Sequence, residues 1–428
     1  MNGSKSHNPA RDDRTSNPMR TWRGMPESLF PSPLPSPLGR GSLVARCLAN
    51  LEPLDPTSRG VRFSLSPGER AGGRGNGASN FKENRTPASI SRIAARRFAC
   101  WMVALSIVMS ACAGTAVPVR IIFDTDIGND VDDVLALSVL HAFQSRDECE
   151  LLAVTITKPD ELAGPFVDAV NTFYGRPNIP IGFTHAGLKN EPSKFLPLAE
   201  TKDGRKLRYP HRLKRSSDAP EATALLRQVL SRQPDRSVVL IQVGYFSNFA
   251  ALLDTPGDAA SPLAGRALVE QKVNLLSVMA GSFKTNRHDL EYNVVQDLPA
   301  SKRLVQNWPT PIVWSGFEIG IAVPYPAVSI ERDFGYLPHH PAAEAYCLYN
   351  PPPHERPTWD LTSVLYAVRP NRGYFGLSSP GQVTVEVDGF TRFTPTPEGR
   401  DRFLTLNDIQ AARVKEALVQ LASQPPSK

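Results

Sequence analysis

From Val119 onward, short runs rich in Val, Ile and Leu alternate with stretches whose apolar residues recur every three or four positions. This alternation constrains the fold more than any other feature. A strand that is apolar at every position is covered on both faces, and helices between such strands supply the cover. The pattern predicts strands at Val119–Phe123, Leu151–Thr155, Ile179–Gly182, Val238–Val243, Val273–Met279 and Pro311–Trp314. It predicts helices at Val131–Phe143, Gly164–Tyr174, Glu221–Arg232, Ala259–Glu270, Pro299–Gln306, Thr358–Val368 and Asn407–Ala422. The fold class is therefore α/β: a Rossmann-like, doubly wound, mostly parallel sheet with helices on both faces. In such sheets ligands bind beyond the carboxyl ends of the strands. The one sizeable interruption, Lys189–Ser217, is basic and irregular, and reads as a solvated loop or a mobile lid. The stretch GQVTVEVDGFTRFTPTPEGRDRFLTL reads as a β-hairpin leading into the last helix.

The first strand runs into IIFDTDIGNDVDD, Ile121 to Asp133, which carries five aspartates. A helix N-terminus favours a negative charge by up to about 1 kcal/mol. Two like charges at ~4 Å repel by about 4 kcal/mol at intermediate dielectric. Capping alone therefore does not hold such a cluster together, whereas a divalent cation does. With only hard oxygen donors, and no His or Cys, the pattern points to Ca²⁺ or Mg²⁺. An EF-hand loop would need a preceding helix and a Glu at its twelfth position, and neither is present.

The chain has a formal net charge of +6, placed unevenly. Residues 1–118 hold sixteen Lys/Arg against seven Asp/Glu, so the remainder is slightly acidic. The basic character belongs to the leader, and no nucleic-acid partner is expected. Residues 1–90 are rich in Pro, Gly, Ser and Arg, without period. They are expected to be disordered, or translated from upstream of the true start codon. Residues 91–116 place Arg92, Arg96 and Arg97 before an apolar run from Phe98 to Met109, followed by small residues. That order is signal-peptide-like, and the run is short for a membrane span. MSAC makes Cys112 a candidate lipid anchor, so the expected location is secreted or periplasmic, with a lipoprotein as one form. Cys149 and Cys347 have no metal-type spacing and are expected to be thiols. The folded domain is expected at residues 117–424.

Five segments in order resemble the nucleoside hydrolase family, the calcium-dependent inosine-uridine preferring N-ribohydrolases. They are the strand–DxDxG–DD–helix start, VGYFSNFAALL, VMAGSF, EYNVVQDLPAS and TWDLTSVLYAV. The resemblance implies an enzyme that splits a ribonucleoside into ribose and base, with Ca²⁺ as cofactor and a homo-oligomeric assembly. It implies Asp126 as the general base acting on a Ca²⁺-bound water, and Asp126, Asp133, Asp360 and the main-chain carbonyl of Ser247 as metal ligands. Asp132, Glu291 and Asn293 would hold the sugar, and Trp359, as in purine-preferring relatives, would stack on the base.

This chain departs from the family pattern in several places. The aspartate loop is longer by two residues near Gly128–Asn129, so Asp130 competes with Asp132 for the sugar contact. Where the family has an Asn after the second strand, this chain offers Lys158 or Asp160. Tyr245 and Phe246 replace Pro-Leu, and His288 is a candidate acid near the sugar segment. A secreted nucleoside- or ribose-binding protein of the same fold, without turnover, is the alternative from another class. A phosphatase using Asp124 as nucleophile is a third reading, opposed by Gly128, where that family has Thr or Val.

Overall fold

The computed structural model describes residues 117–284 and 287–427; the leader, the signal-like segment and Cys112 lie outside the described residues. The first half runs β1 (Val119–Thr125), α1 (Asp132–Ser145), β2 (Cys149–Ile156), α2 (Ala163–Phe173) and β3 (Ile181–Phe183), then a small hairpin of β4 (Lys202–Asp203) and β5 (Lys206–Leu207). It continues through α3 (Ala222–Ser231), β6 (Val238–Gln242), α4 (Ser247–Leu253), α5 (Gly265–Lys272) and β7 (Val273–Met279). Next come α6 (Tyr292–Gln296), α7 (Leu298–Asn307), β8 (Ile312–Ser315), α8 (Phe317–Ile321), α9 (Ala327–Arg332), α10 (Pro341–Tyr349) and α11 (Trp359–Val368). The chain closes with β9 (Gly376–Leu377), β10 (Gly381–Val385), β11 (Thr391–Pro395), β12 (Asp401–Thr405) and α12 (Asp408–Ala422).

The main sheet has the order β11-β10-β12-β8-β7-β6-β1-β2-β3, with β9 on β12. From β3 to β8 every pairing is parallel. The order reverses between β1 and β6, which makes their carboxyl ends the crevice of a doubly wound sheet. Successive strand residues feed opposite cores, as a period of two requires. Ile121 and Phe123 join α1, α2, α11 and α12 on one face. Ile122 joins α3, α4, α5 and α7 on the other.

Three expectations need correction. The Lys189–Ser217 segment is a packed strap, with Phe195, Leu196, Leu198, Ala199 and Tyr209 buried in the same core as α1. The expected helix Ala259–Glu270 starts only at Gly265. Asp258 Oδ1 accepts from the main-chain N–H groups of Ala260 and Ser261, both at 3.0 Å, and holds that stretch as a turn. The carboxyl-terminal stretch holds the expected hairpin, β10–β11, plus a third strand: β12 inserts beside β8 in parallel. Asp401, fully buried, ties this extension together by accepting from Val383 N at 2.8 Å.

Candidate active site

β1 delivers Asp124, Thr125 and Asp126 to the crevice. Asp124 is fully buried, accepting from Thr155 and from Asn248 Nδ2 at 2.8 Å. Burial pushes its carboxyl up to about 8. A side chain enclosed in this way cannot attack a substrate, which removes the phosphatase reading. Thr125 turns its hydroxyl to Asp133 and accepts from Ile127 N at 3.1 Å, tying the loop back on itself. Gly128, with φ of 114°, makes the sharp turn that a side chain would resist.

Gly244 sets how closely the end of β6 approaches β1. A Cβ there would lie 2.4 Å from Thr157 Oγ1 and 2.6 Å from the main-chain nitrogen of Asp126. Gly244→Ala should therefore cost about 1–3 kcal/mol. Urea unfolding measures this, and an unchanged midpoint would contradict the close approach.

Two helix N-termini converge at the crevice. α1 opens with Asp132 and Asp133, and α11 carries Asp360 in its first turn. One carboxylate oxygen from each of Asp132, Asp133 and Asp360 lies within 4.8 Å of the others. All three are at most 4% exposed. Asp132 Oδ2 accepts from Asp360 N at 3.1 Å, which locks the helix ends together. Burial first, and then repulsion from neighbouring aspartates, push all three carboxyls upward. A hard cation fits this donor set: oxygens at up to 4.8 Å separation match the span of a Ca²⁺ shell with ~2.3–2.6 Å bonds.

Asp126 stands beside this set and is not one of the three. It is 5% exposed, and burial pushes its carboxyl up to about 6. Its Oδ2 accepts from Asn129 Nδ2 at 2.7 Å. Asp130 is held by a two-pronged ion pair with Arg356, with Nε at 2.9 and 3.0 Å from its oxygens. Asp132, expected on the sugar, also lies in the cation-sized group. Ser247 heads α4 with its hydroxyl donating to Asp297 Oδ2 at 2.7 Å.

Glu291 and Asn293 flank the far side. Glu291 caps α6, accepting from Asn293 N at 3.0 Å, Gly281 N at 3.1 Å and Val294 N at 3.2 Å. Burial outweighs these bonds and pushes its carboxyl up to about 7. Asn293 Nδ2 donates to Val243 O at 2.8 Å and Met279 O at 3.1 Å, bracing the ends of β6 and β7. Trp359 is 9% exposed. Its Nε1 donates to Phe317 O at 2.9 Å, Phe317 stacks on its ring, and the Arg356 guanidinium sits 5.0 Å over it. Little indole face remains open for a base. His288 lies apart, exposed, paired with Asp388 Oδ2 at 2.7 Å and stacked on Phe390.

Lys158 and Asp160 differ sharply in their surroundings. Lys158 is 1% exposed and reaches Asn129, while Asp160 accepts from Leu162 N at 2.9 Å at the start of α2. Sequence reasoning missed Asn129, Arg356 and the orientation of Tyr245, whose hydroxyl accepts from Asn129 at 2.5 Å. The excess length of the aspartate loop was the only signal pointing to Asn129.

The family model for inosine-uridine preferring nucleoside hydrolases matches residues 121–396. No curated protein matches the chain significantly. Among solved structures, an inosine-uridine preferring nucleoside hydrolase from Bacillus anthracis superposes with a TM-score of 0.53 at 19% identity, covering 71% of this chain and 99% of that one. An inosine-guanosine nucleoside hydrolase gives 0.54 at 18% identity, covering 71% and 98%. A plant nucleoside hydrolase gives 0.52 at 19%, covering 72% and 100%. These likenesses establish the fold, and the family model establishes membership: the chain belongs to the inosine-uridine preferring nucleoside hydrolase family.

Proposed function

We propose that this enzyme hydrolyses the N-glycosidic bond of ribonucleosides, with Asp126 as general base. The observation that carries the reading is the buried trio Asp132, Asp133 and Asp360 beside Asp126 at the β1–β6 crossover. The trio would hold a hard divalent cation, for which we favour Ca²⁺, with Asp126 and the Ser247 carbonyl as further donors. When bound, such an ion neutralises the carboxylates, gathers vicinal hydroxyls and lowers the pKa of water. Asp126 receives the proton of the attacking water while the C–N bond opens. Asn129 takes one acceptor site on its Oδ2, which leaves the remaining sites for the ion and that proton.

Glu291 offers a carboxylate whose oxygens carry three main-chain N–H groups. About four lone-pair sites per carboxylate leave one for a sugar hydroxyl. Asn293, rigidly braced, fits the same task, and Asp132 is close enough to the cation group to share it. Trp359 would shape base selection through the Phe317 and Arg356 groups that cover it. The basic–apolar–small order before residue 117 supports export, with Cys112 as a candidate lipid attachment site, and the family resemblance supports a homo-oligomer.

The test supplies inosine, adenosine and uridine with millimolar Ca²⁺ and measures free ribose. Release from at least one, lost on chelation, is expected. Calorimetric binding of a nucleoside without ribose release would replace the hydrolase with the binding-protein alternative.

A further inference from the structure

We propose that Asn129, clamped by the buried ammonium of Lys158, is the positioning residue that aims Asp126. This rests on the hydrolytic reading above. Lys158 Nζ donates to Asn129 Oδ1 at 2.5 Å and to Glu191 O at 2.7 Å. Its side chain is buried, and among the described residues it forms no ion pair. A buried charge is costly to desolvate, and the nearby Asp126 and Asp133 carboxylates offset that cost without touching the ammonium.

An ammonium has only donors, so it fixes which end of the Asn129 amide faces it. Oδ1 must point to Lys158. Both Nδ2 hydrogens are then committed, one to Asp126 Oδ2 at 2.7 Å and one to the Tyr245 hydroxyl at 2.5 Å. The amide cannot flip without placing its oxygen against the Asp126 carboxylate. The strap closes the clamp from behind through the Glu191 carbonyl. Gly128 makes room for it: a Cβ there would lie 3.0 Å from Lys158 Cδ and 2.5 Å from Leu196 Cδ1. Tyr245 is held independently, its main-chain N donating to Thr157 Oγ1 at 3.1 Å. The carboxylate is thus fixed through one chain of contacts, Glu191–Lys158–Asn129–Asp126, drawn from the turn after β2, the strap and the lengthened aspartate loop.

The experiment uses the full chain with Ca²⁺ and compares Asn129→Leu, Lys158→Met, the double variant and Lys158→Arg. Each single variant should lower kcat on the best ribonucleoside roughly 10- to 100-fold, with KM and calorimetric Ca²⁺ affinity within about threefold of the parent. Because both act through one chain, the double variant should lose no more than the worse single, and Lys158→Arg should recover part of the rate. Selective labelling of asparagine side-chain amides gives a readout apart from activity. The Asn129 amide protons should exchange slowly in the parent and rapidly in Lys158→Met. Unchanged kcat in a folded Lys158→Met, additive losses, losses confined to KM or Ca²⁺ affinity, or fast amide exchange in the parent would each overturn the clamp. A parent that releases no ribose while its Asn129 amide stays protected would sink the hydrolase reading and leave the clamp standing as geometry.

Discussion

Asp126→Asn should lower kcat by about 10²–10⁴ while leaving the fold intact. That range is the usual contribution of one positioned general base, and corresponds to about 3–5 kcal/mol of barrier. The substitution is isosteric, and the new amide oxygen can still accept from Asn129 Nδ2, which now lies 2.7 Å from Asp126 Oδ2. The ability to take up a proton is lost, together with one negative charge beside the ion, so the assay is run at saturating Ca²⁺. Stability should move the other way. Asp126 is buried, with its carboxyl pushed up to about 6 by desolvation, so a neutral amide is easier to bury than the charged form at pH 8. The melting temperature of the metal-free variant should therefore match or exceed that of the parent. A rate within tenfold of the parent would remove Asp126 from the base role. A large fall in melting temperature would show that the lost activity came from misfolding.

How far the sequence reveals this site depends on where each contact partner lies along the chain. Periodicity exposes β1, β2, β3, β6, β7 and β8 because their residues are largely apolar at consecutive positions, a local property. Asp126, Asp132 and Asp133 are legible for the same reason: they crowd one short segment whose charge demands compensation. Asp360, 227 residues after Asp133, was reachable only through resemblance to a family. Asn129 and Asp130 looked like surplus length in the loop. Their partners, Lys158 and Arg356, come from the end of β2 and the approach to α11, and nothing in the sequence pairs them. The strap was misjudged because its basic residues outnumber its apolar ones. Phe195, Leu196, Leu198 and Tyr209 nevertheless suffice to bury it. The insertion of β12 beside β8 could not be foreseen either, since a parallel pairing with a strand some ninety residues earlier leaves no local mark.

Metal-free protein should lose stability as pH rises from about 6.5 to 8.5, and Ca²⁺ should restore it. In the folded chain the carboxyls of Asp126, Glu291 and Asp124 are pushed up to about 6, 7 and 8, and those of Asp132, Asp133 and Asp360 are raised with them. In the unfolded chain all of them release their protons near pH 4. Across the window between, the folded state binds more protons than the unfolded state, so the free energy of unfolding falls with rising pH. His141 and His340 act in the opposite sense. Burial lowers both to about 3, so below about pH 6.5 the unfolded chain takes up protons that the folded chain refuses. In mild acid the two imidazoles offset the six carboxyls only in part, and above about pH 6.5 the carboxylates act alone. A loss of a few kcal/mol would shift the midpoint by about 5–10 °C. Binding should release protons at pH 7, because the ligands must ionise. At a hundredfold excess over its Kd, an ion contributes about 2.7 kcal/mol, so the Ca²⁺-induced rise in midpoint should be larger at pH 8.5 than at pH 5.5. Calorimetric scans with and without chelator at both pH values test this, and Asp133→Asn should flatten both the alkaline fall and the response to the ion. A metal-free midpoint that holds or climbs from pH 6.5 to 8.5, or an equal Ca²⁺ shift at both pH values, would mean that the carboxylate trio is not what this ion relieves.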